Sequence, residues 1–233
     1  METYSLNGIK FGCRENTIDR GVAIALIQND EYHIRELARP GEIFVDLGGY
    51  GGHASLLAAS LGMQCVVVEP IPDNVKFIHE NIKLNSFESK IKVLPFAIGG
   101  KTGEHISLSW YWVDNDFLFK HRFVANPTPP SMGAIAIEVE TISLDDALSP
   151  YKNIWLLKTD CEGAEWPAFR NVSPPTLSKI KYIAGEIHPT EGTYEDFLKL
   201  LPGFKDVSSS FGQIESKSLR AFTLESIKYS QTN

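Results

Sequence analysis

Apolar residues recur along this chain with two periods, and turn-forming residues separate the runs. Across residues 19–37, Val22, Ile24, Ala25, Leu26, Ile27, Ile34 and Leu37 are spaced roughly as a helix, until Arg39-Pro40-Gly41 breaks the run. Ile43-Phe44-Val45 is short and β-prone and leads into glycines. Small and apolar residues over 53–61 then fit a helix closed by Gly62. Residues 64–69 predict a buried strand. Pro72 and Asp73 open a helix on which Val75, Ile78, Ile82 and Leu84 are periodic, and residues 91–98 predict a third strand. The same rhythm returns with strands over 154–159 and 180–187, followed by helices over 164–170 and 194–201. Near 205–210 and 219–224 two more strands read as an antiparallel hairpin joined by a short turn.

Strand and helix in alternation imply parallel strands with right-handed crossovers. The expected architecture is therefore α/β: a doubly wound, mostly parallel, seven-stranded sheet ending in an antiparallel hairpin, in one domain over 1–233. Residues 1–40 are expected to form an N-terminal helical segment. Residues 103–142 interrupt the rhythm: Trp110, Tyr111, Trp112, Phe117, Phe119 and Phe123 crowd ahead of Asn126-Pro127-Thr128-Pro129-Pro130. This aromatic-rich insertion reads as a hairpin excursion with its own packing, or as a lid or wall over a pocket at the strand ends.

Composition narrows the partners. With 233 residues, 43% of them apolar, the chain has enough material for a sizeable core. Its net charge of −7 and pI of about 5.4 oppose non-specific binding to nucleic acid or anionic membrane, because the field repels phosphate. No apolar run approaches bilayer length, and residues 1–12 show no basic stretch followed by an apolar core, so neither membrane span nor signal peptide is expected. Cys13, Cys65 and Cys161 are widely spaced, without disulfide or metal-site spacing, which suits a reduced, cytoplasmic setting. The sequence carries no sign of an oligomeric state.

The sharpest chemistry lies at strand ends. The first strand runs into Asp46-Leu47-Gly48-Gly49-Tyr50-Gly51-Gly52. Glycines let the backbone turn tightly and let a ligand approach, and the helix that follows offers unpaired N–H groups. The dinucleotide pattern GxGxxG fits poorly, since Gly49 and Gly51 are followed by Ala54. Asp46 is expected to turn its carboxylate into the site, where it would repel a pyrophosphate and favour a sulfonium amino acid. Glu69 ends the second strand at the spacing where a carboxylate accepts hydrogen bonds from a ribose diol, and Pro70 follows. Phe96-Ala97 closes the third strand, where an adenine ring can stack or meet backbone groups, although packing explains Phe96 equally well. Asp160, Glu162, Glu186 and His188 fall at the ends of the fourth and fifth strands. Asp160 or His188 is the first choice for a general base or an acceptor-orienting group. His188 also suits a turn cap before Pro189, and Glu162 and Glu165 suit the positive end of a helix. Lys158 shares a strand face with Asp160 and is placed to pair with it. The Asp-x-Glu and Glu-x-His spacings permit a divalent ion without requiring one, and no metal is expected.

Taken together these segments resemble the FkbM family of methyltransferases. Asp46, Gly48 and Gly52 match its Asp-x-Gly-x-Asn-x-Gly loop, and Glu69-Pro70 its Phe-Glu-Pro element. Asn81 to Asn85 resembles its N-x-x-x-N helix end, and Thr141-Ile142-Ser143-Leu144-Asp145-Asp146 its T-x-x-L-D-D segment. Lys158-Thr159-Asp160-Cys161-Glu162-Gly163-Ala164-Glu165 is similar to K-x-D-x-E-G-x-E, and Glu186-Ile187-His188 to Glu-x-His. Tyr50 stands where the family usually has Asn, and would instead stack on the cofactor or partly close its pocket. The resemblance implies S-adenosylmethionine as cofactor, held by Asp46, Gly48, Gly49, Tyr50, Gly52, Glu69, Pro70, Phe96 and Ala97. It implies methyl transfer to a small-molecule acceptor, commonly an oxygen of a sugar or natural product. Two other readings stay open on the residues alone: an NAD-dependent oxidoreductase, and a non-catalytic nucleoside-binding relic with Tyr50 as a plug.

Overall fold

The protein opens with a β-hairpin, β1 (Glu2–Leu6) and β2 (Ile9–Cys13), in place of the helical start expected for residues 1–40. The cause is local. Asn7 and Gly8 both take positive φ (51° and 81°), the conformation of the two-residue turn that joins antiparallel strands without splaying them. A computed structural model describes residues 1–15, 17–110, 122–123, 135–188, 190–206 and 219–223. The helix expected over 19–37 is broken into α1 (Asp19–Ala23), a π turn (Ile24–Gln28) and α2 (Ile34–Leu37). Asp30 causes part of this break: it takes φ 55°, and its carboxylate accepts the Ile34 and Arg35 N–H groups, starting a new helix.

Next come β3 (Ile43–Leu47), α3 (His53–Ser60), β4 (Gln64–Val68), α4 (Pro72–Leu84) and β5 (Ile91–Leu94). The single strand expected over 91–98 is in fact two. Pro95 has no N–H to give a ladder, so β5 stops at Leu94 and the chain leaves for a second sheet as β6 (Ala97–Gly99). That sheet is completed by β7 (His105–Trp110), β8 (Arg122–Phe123) and β9 (Ile135–Ser143), in the order β6-β9-β7-β8. Within residues 103–142, β7 pairs antiparallel with both β8 and β9. Tyr111, Trp112, Phe117, Phe119 and the segment 126–130 lie outside the described residues, so the aromatic cluster does too. The chain returns through α5 (Leu144–Leu148), β10 (Ile154–Thr159), α6 (Glu165–Asn171), α7 (Pro174–Leu177), β11 (Ile180–Glu186), α8 (Tyr194–Leu198), β12 (Lys205–Asp206) and β13 (Leu219–Thr223).

The main sheet has seven strands in the order β12-β13-β11-β10-β3-β4-β5. Its five central strands, from β11 to β5, make four parallel pairings, and β13 runs antiparallel to both of its neighbours, β11 and β12. Parallel strands bury both faces, which is why β3 and β4 read as nearly continuous apolar runs. Phe44, Val67 and Leu156 pack on one face with α3 and the N-terminal segment; Val45, Val66 and Leu157 pack on the other with α5 and α6. Chain order reverses between β3 and β10, so the loops leaving their carboxyl ends diverge and open a crevice there.

Candidate active site

The crevice is a cavity of about 1010 Å³ including its open mouth. Its floor is the bend after β3. Gly48 and Gly52 take φ +76° and +77°, and a Cβ on Gly48 would sit 1.9 Å from the Asp160 carbonyl oxygen. A Cβ on Gly49 would sit 2.2 Å from Val67 Cγ1. Only glycine lets the bend lie this close to β10 and β4, and so leaves backbone exposed to the cavity. Tyr50 also takes the left-handed conformation, φ 49°, which Asn tolerates better than most residues. Its hydroxyl donates to Asp19 Oδ1 at 2.6 Å, and the Arg14 guanidinium lies 5.3 Å from its ring centroid. Tyr50 lines the cavity.

Glu69 meets its expectation in place and departs from it in detail. It follows β4, lines the cavity and is 4% exposed. Burial raises its pKa, against the Ile71 and Tyr50 N–H groups and the Asn74 amide. Oε2 accepts the Tyr50 N–H at 2.8 Å; Oε1 accepts the Ile71 N–H at 3.0 Å and Asn74 Nδ2 at 3.1 Å. Three of about four lone-pair sites are thereby taken by protein, leaving about one for a ligand rather than the pair a ribose diol would use. Pro70 and Ala97 line the cavity, whereas Phe96 does not; Ile98 and Leu108 do. Gly52 caps α3 behind the wall, its carbonyl accepting the Leu56 N–H.

Asp46 corrects the sequence reading. Its carboxylate does not face the cavity. It is 0% exposed, with Oδ1 3.1 Å from Lys158 Nζ and Oδ2 accepting the Ser55 hydroxyl at 2.8 Å. Register explains this: Lys158 on β10 stands directly beside Asp46 on β3. Lys158 therefore pairs with Asp46 and not with Asp160. Its ammonium also donates to the carbonyls of Gly48 at 2.6 Å and Leu47 at 3.2 Å. Burial disfavours its charge, but Asp46 and then Asp160 outweigh that and raise its pKa. The pair holds the bend from beneath.

All four candidates at the ends of β10 and β11 come together. Asp160 and Glu162 line the cavity; Glu186 and His188 stand beside Glu162 and are not in the cavity wall. His188 Nε2 lies 3.5 Å from Glu162 Oε2 and 3.7 Å from Glu186 Oε1. Its Nδ1 lies 3.2 Å from Oε1 of fully buried Glu165. Glu165 also accepts the Cys161 and Gly163 N–H groups, at 2.5 and 2.8 Å, so it fixes both the loop and the imidazole. Burial works against a charged imidazole, but Glu165, Glu162 and Asp160 prevail and push His188 up to about 9. These three carboxylates favour the protonated imidazole. Glu162 is pushed up to about 7, by burial first, opposed by His188 and assisted by Asp160, Glu186 and Glu165. It takes φ 54°, an uncommon conformation for a glutamate, which aims this position from the loop before α6. Asp160, Glu186 and His188 offer ligand atoms within 4.8 Å of one another, a spacing open to a divalent cation.

Sequence reasoning missed the contribution of the N-terminal segment. Ile18, Val22 and Leu26 line the cavity, and the Tyr32 hydroxyl donates to Asp160 Oδ2 at 2.9 Å. The i, i+4, i+8 spacing of the three apolar residues was visible; where that face would land was not.

Comparison with known proteins adds a family. A family model described as the methyltransferase FkbM domain matches residues 46–219. No curated protein matches the chain. Among solved structures, a human methyltransferase 10 domain containing protein aligns at TM-score 0.50 and 13% identity, covering 93% of this chain and 89% of its own. An rRNA methylase from Streptococcus thermophilus aligns at TM-score 0.49 and 10% identity, covering 84% of this chain and 93% of its own. At 13% identity the first likeness establishes a shared fold and nothing finer.

Proposed function

The chain belongs to the FkbM family of methyltransferases, with S-adenosylmethionine as cofactor, and on that premise we propose that it methylates a hydroxyl oxygen of a small sugar or natural product. The observation carrying this reading is the convergence, on one cavity, of a glycine-rich bend, buried Glu69, and the Glu162 carboxylate, which burial pushes up to about 7. Glycine backbone and Glu69 suit a nucleoside amino acid: the bend admits a close ligand and Glu69 keeps about one acceptor site for a hydroxyl.

Bound there, the cofactor supplies a methyl already activated on a sulfonium. The residues of this chain must hold the donor, align an acceptor and take up its proton. Glu162 is the proposed general base, because it lines the cavity and a base works best with a pKa near the operating pH. It would take the acceptor's O–H proton on its carboxylate. His188 holds Glu162 and offsets the charge of the neighbouring acids. Asp160, also in the wall, is the proposed orienter of the acceptor or the sulfonium. Acids at the cavity and a net charge of −7 favour a neutral or cationic acceptor over a phosphate-rich one.

The first test is binding. S-adenosylhomocysteine should raise the melting temperature and NAD should not, since a ligand that binds only the folded state stabilises it. The opposite result would restore the oxidoreductase alternative, and no response to either would favour the relic. Transfer of a radiolabelled methyl group across a panel of sugars, polyketides, peptides and capped RNA then identifies the acceptor. Label confined to RNA or to nitrogen would refute the oxygen-directed reading.

A further inference from the structure

The family match begins at residue 46, yet part of the cavity is built by what precedes it. Ile18 at the N-cap of α1, Val22 within it and Leu26 in the π turn follow at intervals of four and form an apolar stretch of the wall. The segment is fastened to the glycine bend. Arg14 donates to both oxygens of buried Asp19, through Nε at 3.0 Å and Nη2 at 2.9 Å, and Tyr50 donates to Asp19 Oδ1. Tyr50, the departure from the family loop, is thus the residue that latches the segment to the bend.

Beyond the π turn the segment delivers Tyr32. Its ring is 5% exposed and lies 5.5 Å from Lys158 Nζ. Its hydroxyl meets Asp160 Oδ2 at 2.9 Å, across 128 positions of sequence. The Asp160 backbone is fixed as well, its N–H donating to the Leu47 carbonyl at 3.2 Å. Burial, then the charge and hydrogen bond of Asp160, hold the phenol far above its ordinary range. It stays a neutral donor at any working pH, so one oxygen of Asp160 is always engaged and the other has a fixed direction.

We propose that Tyr32 is a positioning residue: from outside the matched domain it sets the orientation of the Asp160 carboxylate in the cavity wall, and through it the preference for a positively charged sulfur ligand. This rests on the methyl-transfer reading, since the charge it would sense is the sulfonium.

Tyr32→Phe keeps the ring, its packing and its position beside Lys158, and removes one O–H. Titration calorimetry with S-adenosylmethionine and with S-adenosylhomocysteine compares ligands that differ in a methyl and in charge at sulfur. S-adenosylmethionine should bind about 5- to 10-fold more weakly to the variant, only a part of what a hydrogen bond to a charged group is worth, because the bond is made in free and bound protein alike and only the carboxylate's preset direction is lost. S-adenosylhomocysteine should change less than about twofold by the same reasoning. Asp160→Asn should show the same selective loss, and the double variant no further loss, because both act through one carboxylate. Equal weakening of both ligands would reduce Tyr32 to a piece of wall and overturn the proposal, as would an unchanged ratio or additive effects. Wild-type protein that binds neither ligand would instead remove the methyl-transfer premise, and this proposal with it.

Discussion

His53 offers the cleanest test of the energetics behind the glycine bend. It is the first residue of α3, fully buried, and packed edge-on against Phe11 and Phe77 beside Tyr50. Among the described residues neither ring nitrogen has a hydrogen-bond partner. Burial pushes its pKa from 6.5 down to about 4. The folded state therefore binds the proton less well than the unfolded chain. The stability contribution is complete above pH 6.5 and is lost as pH falls toward and through about 4. Linkage over those two values gives a loss of about 2 kcal/mol between pH 7 and pH 5 from this one group. His53→Leu removes the titration and keeps a side chain of similar size among the aromatic rings. It also removes two unsatisfied nitrogens, adding about 1 kcal/mol or more at pH 7. Urea unfolding at both pH values, followed by far-ultraviolet circular dichroism, should show the variant losing about 2 kcal/mol less than wild type on acidification. In melting temperature that is about 4–8 °C for a chain of this length. Parallel pH dependence in the two proteins would mean that the ring titrates normally, and would refute its dry, unpaired burial.

Glu162→Gln should slow methyl transfer by about 10²- to 10⁴-fold, with S-adenosylhomocysteine affinity nearly unchanged. Wild-type turnover should rise with pH through about 7, as Glu162 loses its proton, and that limb should vanish in the variant; its persistence would assign the base elsewhere. Lys158→Met should destabilise the protein by about 3–5 kcal/mol, because Asp46 is left charged and buried. Adding Asp46→Asn should recover much of the loss in denaturant titrations, and a double variant as unstable as the single one would contradict the pairing. Glu69→Gln should weaken S-adenosylhomocysteine by about 10- to 100-fold in calorimetry, since the charged acceptor of the Tyr50, Ile71 and Asn74 donors is lost. Unchanged affinity would take Glu69 out of the cofactor site.

The sequence by itself determined the βα rhythm, the glycine bend and the order of acids at successive strand ends. These depend on period and on breakers within a few residues, and Ile154–Thr159 falls on the expected strand to the residue. The hairpin turn at Asn7-Gly8 was equally local and was overlooked. Two failures were also short-range: Pro95 ending β5, and Asp30 restarting the helix. The partners of each side chain were decided only by the tertiary structure. Asp46 meets Lys158 because β3 and β10 are neighbours in register, although 112 positions separate them by count of the chain. Tyr32 meets Asp160 across 128 positions because the N-terminal segment packs at the strand ends. Charge follows the same rule. That His188 keeps its proton while Glu162 sheds one near neutrality depends on which carboxylates surround each group in a half-buried space. Residue identity and spacing carry no such information, because electrostatic energy depends on distance and dielectric rather than on position along the chain.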